Sequence, residues 1–373
     1  MGLLQIPKTS PWFMHLKFNC WMTYHTMDCF FYPSGNWINR RILEIYAESN
    51  DSAFPGVSHT ETIEGRIYRH ASINLDEEKN LDLVRSELER DDFLSIMIAN
   101  LIKVSGKKKR EPKIMAAVNC TPDSFYPGSR LNDRIEDSLQ KIVEEKPDFI
   151  DLGGESTRPG STGIGWKEEV ERIRPALQFL SENSNIPVSI DTRHHETVSS
   201  LLQYGISMLN DITGLRSQEM RKVVRDNDLD AVIMHMRGEP STMQSMTFYE
   251  NIIAELNRFF FDRMRMCWED GIDPEKIILD PGIGFAKGLK GNIDILRNIE
   301  SFRLGQRLLV GTSRKMFIGK ITGLPVEERL PGTIATSIYL SSKGVDILRL
   351  HDVRANRDAI KMMRLLEGSD GLA

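Results

Sequence analysis

Cysteine is scarce. Four thiols (Cys20, Cys29, Cys120 and Cys267) are spread over 373 residues, and none are spaced as Cys-x-x-Cys. That excludes a disulfide framework and a cysteine-ligated zinc site, and it suits a reducing compartment. Long apolar runs are missing too. None approaches the roughly 20 residues that a helical membrane span needs, so no membrane partner is expected. Positive charge is not in surplus: 48 Lys and Arg stand against 53 Asp and Glu, a net of −5. That balance argues against nucleic acid as a partner. Acids are short only at the start, where Asp28 stands alone against four Lys/Arg in residues 1–41. An acid-poor start is a weak transit-segment signal, but serines are few and no arginine precedes Arg40. The apolar core and small-residue cleavage site of a secretory signal are also missing. The expected localisation is cytoplasmic, with mitochondrial as the alternative.

The chain divides near Lys107-Lys-Lys-Arg110-Glu-Pro112. Residues 1–110 read as an N-terminal extension: 1–75 show no clean period, and 76–103 carry the apolar spacing of one helix. Residues 111–373 alternate between strand and helix patterns. The predicted strands are 114–119, 148–155, 187–192, 208–213, 231–236, 276–282, 307–313 and 344–352, rich in Ile, Val and Leu as strands buried on both faces should be. Amphipathic segments follow each, near 132–146, 167–182, 194–204, 217–228, 247–270, 291–305, 328–342 and 353–366. Strand–helix alternation over about 260 residues predicts a (β/α)8 TIM barrel. An open doubly wound sheet is the main alternative, but its glycine-rich dinucleotide turn is missing after the first strand, where Asn119-Cys-Thr-Pro stands.

In a barrel, chemistry sits at the carboxyl ends of the strands. Those ends carry Asn119, Glu155 with Thr157 and Arg158, Asp191, Asn210 with Asp211, His235, Asp280, Ser313 with Arg314 and Lys315, and Arg349 with His351 and Asp352. Any single one is explained by a cap or a loop hydrogen bond; polar residues at all eight ends are not. Asp191, Asn210, Asp280 and Lys315 offer mixed donors and acceptors suited to the edge of a flat polar heterocycle. Arg158, Arg349, His351 and Asn119 suit oxyanions, the arginines bidentately and Asn119 as a carbonyl ligand to Mg²⁺. His194 and His195 are adjacent on a helix start, about 100° apart, and chelate poorly. Cys120 has no cationic neighbour in sequence and reads as a bystander.

Eight short motifs in order resemble dihydropteroate synthases. They are Asn119-Cys-Thr-Pro-Asp-Ser-Phe125, Asp151 to Ser161, Ser189-Ile-Asp191-Thr, Leu209-Asn210-Asp211-Ile, Met234-His235-Met236, Leu279-Asp280-Pro-Gly-Ile-Gly-Phe285, Gly311-Thr-Ser-Arg-Lys315 and Arg349-Leu-His351-Asp-Val353. The resemblance spans about residues 113–366 and leaves 1–110 outside. It implies the (β/α)8 barrel, and a transferase that condenses 7,8-dihydropterin pyrophosphate with p-aminobenzoate to give dihydropteroate and pyrophosphate. It implies substrate-binding roles for Thr157, Asp191, Asn210, Met234, Asp280, Phe285, Lys315 and Arg349. It implies catalytic roles for Arg158, Lys315, Arg349 and His351, a Mg²⁺ cofactor near Asn119, and a homodimer. Loops 120–130 and 156–166 would cover the site. The first loop departs from the family's Ser-Asp-Gly-Gly, running Tyr126-Pro-Gly-Ser-Arg130 instead.

Three other readings stand beside this one. A pterin-using methyltransferase barrel would share the ring-binding Asp and Asn without needing Arg158, Lys315 or Arg349-x-His351. A non-catalytic relative should have lost its diphosphate residues. A phosphosugar isomerase or aldolase would lack the paired Asp/Asn set.

Overall fold

The structure is a computed structural model. It describes residues 29–34, 41–48, 57–88, 91–105, 110–121, 131–156, 161 and 163–368. Eight strands close a parallel barrel: β5 (Lys113–Asn119), β6 (Phe149–Gly153), β7 (Val188–Asp191), β8 (Met208–Asp211), β9 (Asp230–Met234), β10 (Ile277–Asp280), β11 (Arg307–Val310) and β12 (Ile347–Leu350). Neighbours pair in chain order, and β12 closes on β5 through Arg349 opposite Met115. The TIM barrel expected from the alternation is the fold found.

Two side-chain sets follow from the two-residue period of a strand. Ile150, Leu152, Ile190, Leu209, Ile233, Leu279 and Leu348 belong to the main core around the barrel. Met115, Phe149, Met208, Val232, Ile278, Leu309 and Ile347, one from each of seven strands, form a separate buried cluster inside it. The interior is therefore filled by an apolar layer. Fully burying one such side chain contributes about 1.5–3 kcal/mol.

The extension corrects two expectations. Residues 29–74 are not irregular: β1 (Cys29–Ser34), β2 (Ile42–Glu48), β3 (Val57–Ile63) and β4 (Arg66–Asn74) form an antiparallel sheet in the order β1-β2-β4-β3. Residues 76–103 are two helices, α1 (Glu78–Leu88) and α2 (Asp92–Ser105), where one was predicted. Asp91 restarts the helix: its carboxylate accepts from the Leu94 N–H at 3.1 Å, as an N-cap should.

Outside the barrel run α3 (Leu131–Glu144), α4 (Trp166–Asn183), α5 (His195–Leu201), α6 (Gln218–Asp226), α7 (Ile252–Glu269), α8 (Leu289–Arg297), α9 (Met316–Thr322), α10 (Leu330–Ser342) and α11 (Val353–Leu366). The short α9 was not predicted. The extension packs along α7, with Phe31 of β1 edge-on to Phe261 at 4.8 Å. At the amino-terminal end of the barrel, α2 places Phe93 and Met97 around a small cavity with Ile277 and Gln306. At the carboxyl end, Glu64 in the β3–β4 turn pairs with Arg237, just beyond β9, at 3.1 Å.

Candidate active site

The inward positions of the strands place the candidate residues. Two residues after the interior apolar layer, each strand presents its next inward side chain. Phe149 is followed by Asp151, Met208 by Asn210, Val232 by Met234, Ile278 by Asp280, Leu309 by Gly311 and Ile347 by Arg349. Asp191 ends β7, opposite Gly153 on β6 and Asn210 on β8. A polar layer therefore lies directly on the apolar one, at the carboxyl end.

Arg349 organises the centre. Its Nε donates to Asp151 Oδ2 at 2.6 Å and its Nη2 to Asp191 Oδ2 at 2.9 Å. Asn210 Nδ2 donates to the same Asp151 oxygen at 3.0 Å. Asp151 has no exposed surface, so its charge rests on these partners. Asp151 Oδ1 and Asn210 Oδ1 are buried with no hydrogen-bond partner among the described residues. Buried acceptors left unpaired cost about 1–3 kcal/mol each, which a donor-bearing ligand would recover.

Burial sets the protonation of this layer. It pushes the Asp191 carboxyl up to about 7, against the lowering effect of Arg349. Asp280 is raised for the same reason, opposed by Lys315 and by the Gly282 N–H that its Oδ1 accepts at 2.8 Å. The Lys315 ammonium is lowered to about 8 by burial, partly offset by Asp280. Its Nζ donates to the Ile283 carbonyl and lies 4.9 Å from the Phe285 ring centroid. Phe285 packs on an apolar cluster of Ile212, Met234, Met236, Met243 and Ala286. Carboxylates and an ammonium thus face a sulfur-rich apolar wall across one opening.

Other predicted residues fall as follows. Asn119 ends β5, half-buried, opposite Gly153. His351 is exposed at the rim, with Nδ1 3.0 Å from Ser313 Oγ. Thr157 and Arg158 lie outside the described residues, as do 122–130 of the first loop. Glu155 is held by Arg193 through two hydrogen bonds of 2.9 and 3.1 Å. Asp211 accepts from the Thr213 and Leu215 N–H groups and shapes its own loop. Arg314 is bound bidentately to Asp352, at 2.9 Å to each oxygen. These last three are taken up in holding loops.

Sequence reasoning missed two residues. Asp151 opens the second motif and was assigned no site role, but it stands at the centre; its place two residues after Phe149 was the available signal. Lys287 was not considered. Its buried Nζ reaches His235 Nδ1 at 3.0 Å and the carbonyls of His235 and Phe285 at 3.1 and 2.8 Å. Burial lowers both Lys287 and His235 well below their ordinary values; Lys287 adds to the lowering of His235, and Asp280 opposes that of Lys287. His235 therefore braces the β9 end against the β10 loop. The loop needs glycine at 282: φ is +66°, and a Cβ would fall 2.2 Å from the His235 carbonyl oxygen.

Known proteins are similar to this chain over the barrel. Residues 115–351 match the family model described as pterin binding enzyme. A dihydropteroate synthase of Synechocystis is 42% identical over 254 residues, covering 67% of this chain and 88% of that protein. The Escherichia coli K12 dihydropteroate synthase is 34% identical over 261 residues, covering 69% of this chain and 92% of its own. Among solved structures, the Clostridium difficile dihydropteroate synthase, determined in the presence of pteroic acid, superposes with a TM-score of 0.65 at 37% identity, covering 69% and 97% of the two chains. The Xanthomonas albilineans dihydropteroate synthase with 4-aminobenzoic acid superposes with a TM-score of 0.65 at 33% identity, covering 69% and 93%. The antiparallel sheet and α1 lie before the matched residues. With an inward polar layer on a closed parallel barrel, and relatives spanning nearly their whole length, this chain belongs to the pterin-binding enzymes, among the dihydropteroate synthases.

Proposed function

We propose that the chain acts as a dihydropteroate synthase, a transferase joining 7,8-dihydropterin pyrophosphate to p-aminobenzoate. The observation that carries this reading is the inward polar layer. Two buried acceptor oxygens, Asp151 Oδ1 and Asn210 Oδ1, lack donors beside the carboxylates of Asp191 and Asp280. A pterin edge presents amino and ring N–H donors in one plane, and such acceptors suit it. We assign Asp191, Asn210 and Asp280 to that edge, with Asp151 behind them. Met234 and Phe285 take the ring face, and Lys315 closes the side.

The reaction breaks the bond from the pterin CH₂ carbon to the diphosphate oxygen, and the diphosphate leaves with the electron pair. The arylamine nitrogen bonds to that carbon and loses a proton to solvent. The carboxylates stabilise positive charge developing on the dihydropterin. Asn119, Thr157, Arg158, Arg349 and His351 are our candidates for the departing diphosphate. Arg349 spends Nε and Nη2 on Asp151 and Asp191; its Nη1 makes no hydrogen bond among the described residues. The Asn119 side-chain carbonyl fits a Mg²⁺ ion that keeps water and phosphate oxygens as its other ligands; when bound, the ion supplies charge neutralisation to the diphosphate. An arylamine is already nucleophilic, so no strong base is needed, which suits the engagement of Glu155 by Arg193. A methyltransferase would have no use for Lys315 beside Arg349.

Exposed Met316, Ile321, Val326, Tyr339 and Met362 lie on or beside the contiguous helices α9, α10 and α11. We assign this face to a homodimer, which sedimentation at two concentrations tests. No helix among the described residues is long and apolar enough to cross a membrane. Cys120 and Cys267 are free thiols, which supports the cytoplasm as the compartment. The decisive experiment incubates the chain with dihydropterin pyrophosphate, p-aminobenzoate and Mg²⁺. Dihydropteroate and pyrophosphate should appear in equal amounts; no product overturns the assignment.

A further inference from the structure

The antiparallel sheet gathers a second set of ligating side chains, outside the barrel. On β3, His59 and Glu61 lie two residues apart and so share a face. His70 on β4 is directly opposite His59, and Tyr46 on β2 is directly opposite His70. His59 Nε2 and His70 Nδ1 are 3.3 Å apart, and Glu61 Oε2 is 3.9 Å from His70 Nδ1. The three ligand atoms lie within 4.8 Å of one another, the only such group of three among the described residues. Tetrahedral zinc with nitrogens at about 2.0–2.1 Å needs them roughly 3.3 Å apart, the spacing of the two histidines.

Two of the three ligands, His70 and Glu61, are held from behind. Glu44 Oε2 is 2.7 Å from His70 Nε2, and a carboxylate can only accept there. The proton is thereby fixed on Nε2, and in the neutral ring Nδ1 is a lone pair. Glu44 is itself fixed by Ser34 Oγ at 2.5 Å and by Ser72 Oγ. Glu61 Oε2 accepts from Tyr46 Oη at 3.0 Å, and Glu61 Oε1 from Asn251 Nδ2 at 2.7 Å. The Tyr46 ring stacks on His70 at 4.4 Å. Carboxylate–histidine pairing of this kind orients metal ligands and raises their basicity.

We propose that His59, Glu61 and His70 bind a borderline divalent transition metal, zinc foremost, with water completing the tetrahedron. Two imidazoles and one carboxylate favour zinc over magnesium or calcium, which prefer all-oxygen sites. Without the ion, the proton between the two histidines rests on His59 Nε2; on zinc binding it moves to His59 Nδ1, so the ring stays neutral and no net proton is released. Only unprotonated rings ligate, so binding weakens as pH falls. The ion also ties β3 to the start of α7, because Glu61 grips Asn251, whose Oδ1 caps that helix through the Ala254 N–H at 3.1 Å. The site is independent of the proposed reaction.

The test uses the untagged full chain, stripped with a chelator and titrated with Zn²⁺ in excess Mg²⁺. One zinc per chain should bind. Co²⁺ in its place should give the intense visible bands of a tetrahedral ion. His59→Ala and Glu61→Gln should each weaken binding at least tenfold and abolish those bands, with circular dichroism unchanged. His70→Ala should do the same; should it unfold, the exposed His59 decides alone. Zinc binding that is substoichiometric, or undiminished in His59→Ala, overturns the proposal, the latter placing the ion on the thiols.

Discussion

In the closed barrel, Asp151 and Asn210 each keep a buried oxygen without a hydrogen bond among the described residues. In the four-stranded sheet, Glu44 accepts from His70, Ser34 and Ser72, and both Glu61 oxygens are taken. Both regions hold ionisable groups on adjacent strands, yet their protonation differs. Burial dominates in the barrel and raises Asp191 and Asp280. In the sheet, burial also acts to raise Glu44, but the hydrogen bonds from His70, Ser34 and Ser72 outweigh it and leave the carboxyl lowered. Parallel strands ending together point side chains into a dry interior with few local donors. Antiparallel neighbours bring each acceptor opposite a donor from the next strand. The barrel layer is therefore under-satisfied and poised for a ligand, whereas the sheet holds its carboxylates in place with hydrogen bonds of its own.

Arg349→Ala breaks the contrast hardest. It strips Asp151 and Asp191 of their counter-ion, so turnover should fall at least about tenfold, as expected when one transition-state contact is lost. Stability should fall too, by roughly 3 kcal/mol at most, since the carboxyls can take up protons. Initial rates and thermal unfolding measure both; a near-normal rate would discard the diphosphate role. Asp191→Asn is gentler. It should weaken binding of a pterin analogue by about 1–3 kcal/mol while leaving arylamine binding nearly unchanged, measured by calorimetry. Equal losses for both ligands would remove Asp191 from the pterin edge.

The pH profile sharpens the same point. Asp191 holds its proton to about 7 when folded, against an ordinary value of 3.8. Between those values the folded chain carries more protons than the unfolded one, so this group lowers stability as pH rises through that window. Lys315, lowered from 10.5 to about 8, works the other way and adds stability as pH rises from about 8 to 10.5. If the carboxylate and the ammonium are the active forms, kcat/KM peaks between about 7 and 8. Lys315→Arg should then remove the alkaline fall, and an unaltered alkaline limb would clear Lys315 of it. Chelation of Mg²⁺ should slow pyrophosphate release several-fold, and an unchanged rate rejects metal assistance. The smallest effect is expected at Asn251→Ala. It should cost about 1 kcal/mol of stability through the lost α7 cap and leave turnover intact.

The barrel was legible because its signals are local and repeated. The stretch 353–366 was read as a helix and is α11. Predicted strands ran long at their carboxyl ends, as at 307–313 against Arg307–Val310, because the polar residues after each strand were counted into it. Of the site, Asp191, Asn210, Asp280, Lys315 and Arg349 were legible from their place at strand ends. Asp151 was hidden by the more conspicuous loop after it. The antiparallel sheet was illegible for another reason. Cys29 to Pro33 of β1 are buried without alternation, so no two-residue period shows. The turn described between β3 and β4 is Glu64-Gly65, with φ of +48° and +79°, where Asn-Gly or Asp-Gly is the usual signal. α1 and α2 merged in the reading because Asp91 interrupts the helix without disturbing the apolar spacing.

The plug of Met115, Phe149, Met208, Val232, Ile278, Leu309 and Ile347 seals one end of the barrel. Whatever reaches the polar layer above it comes and goes by the carboxyl end, so on the proposed reading an occupant resting on the plug loads before one that covers it.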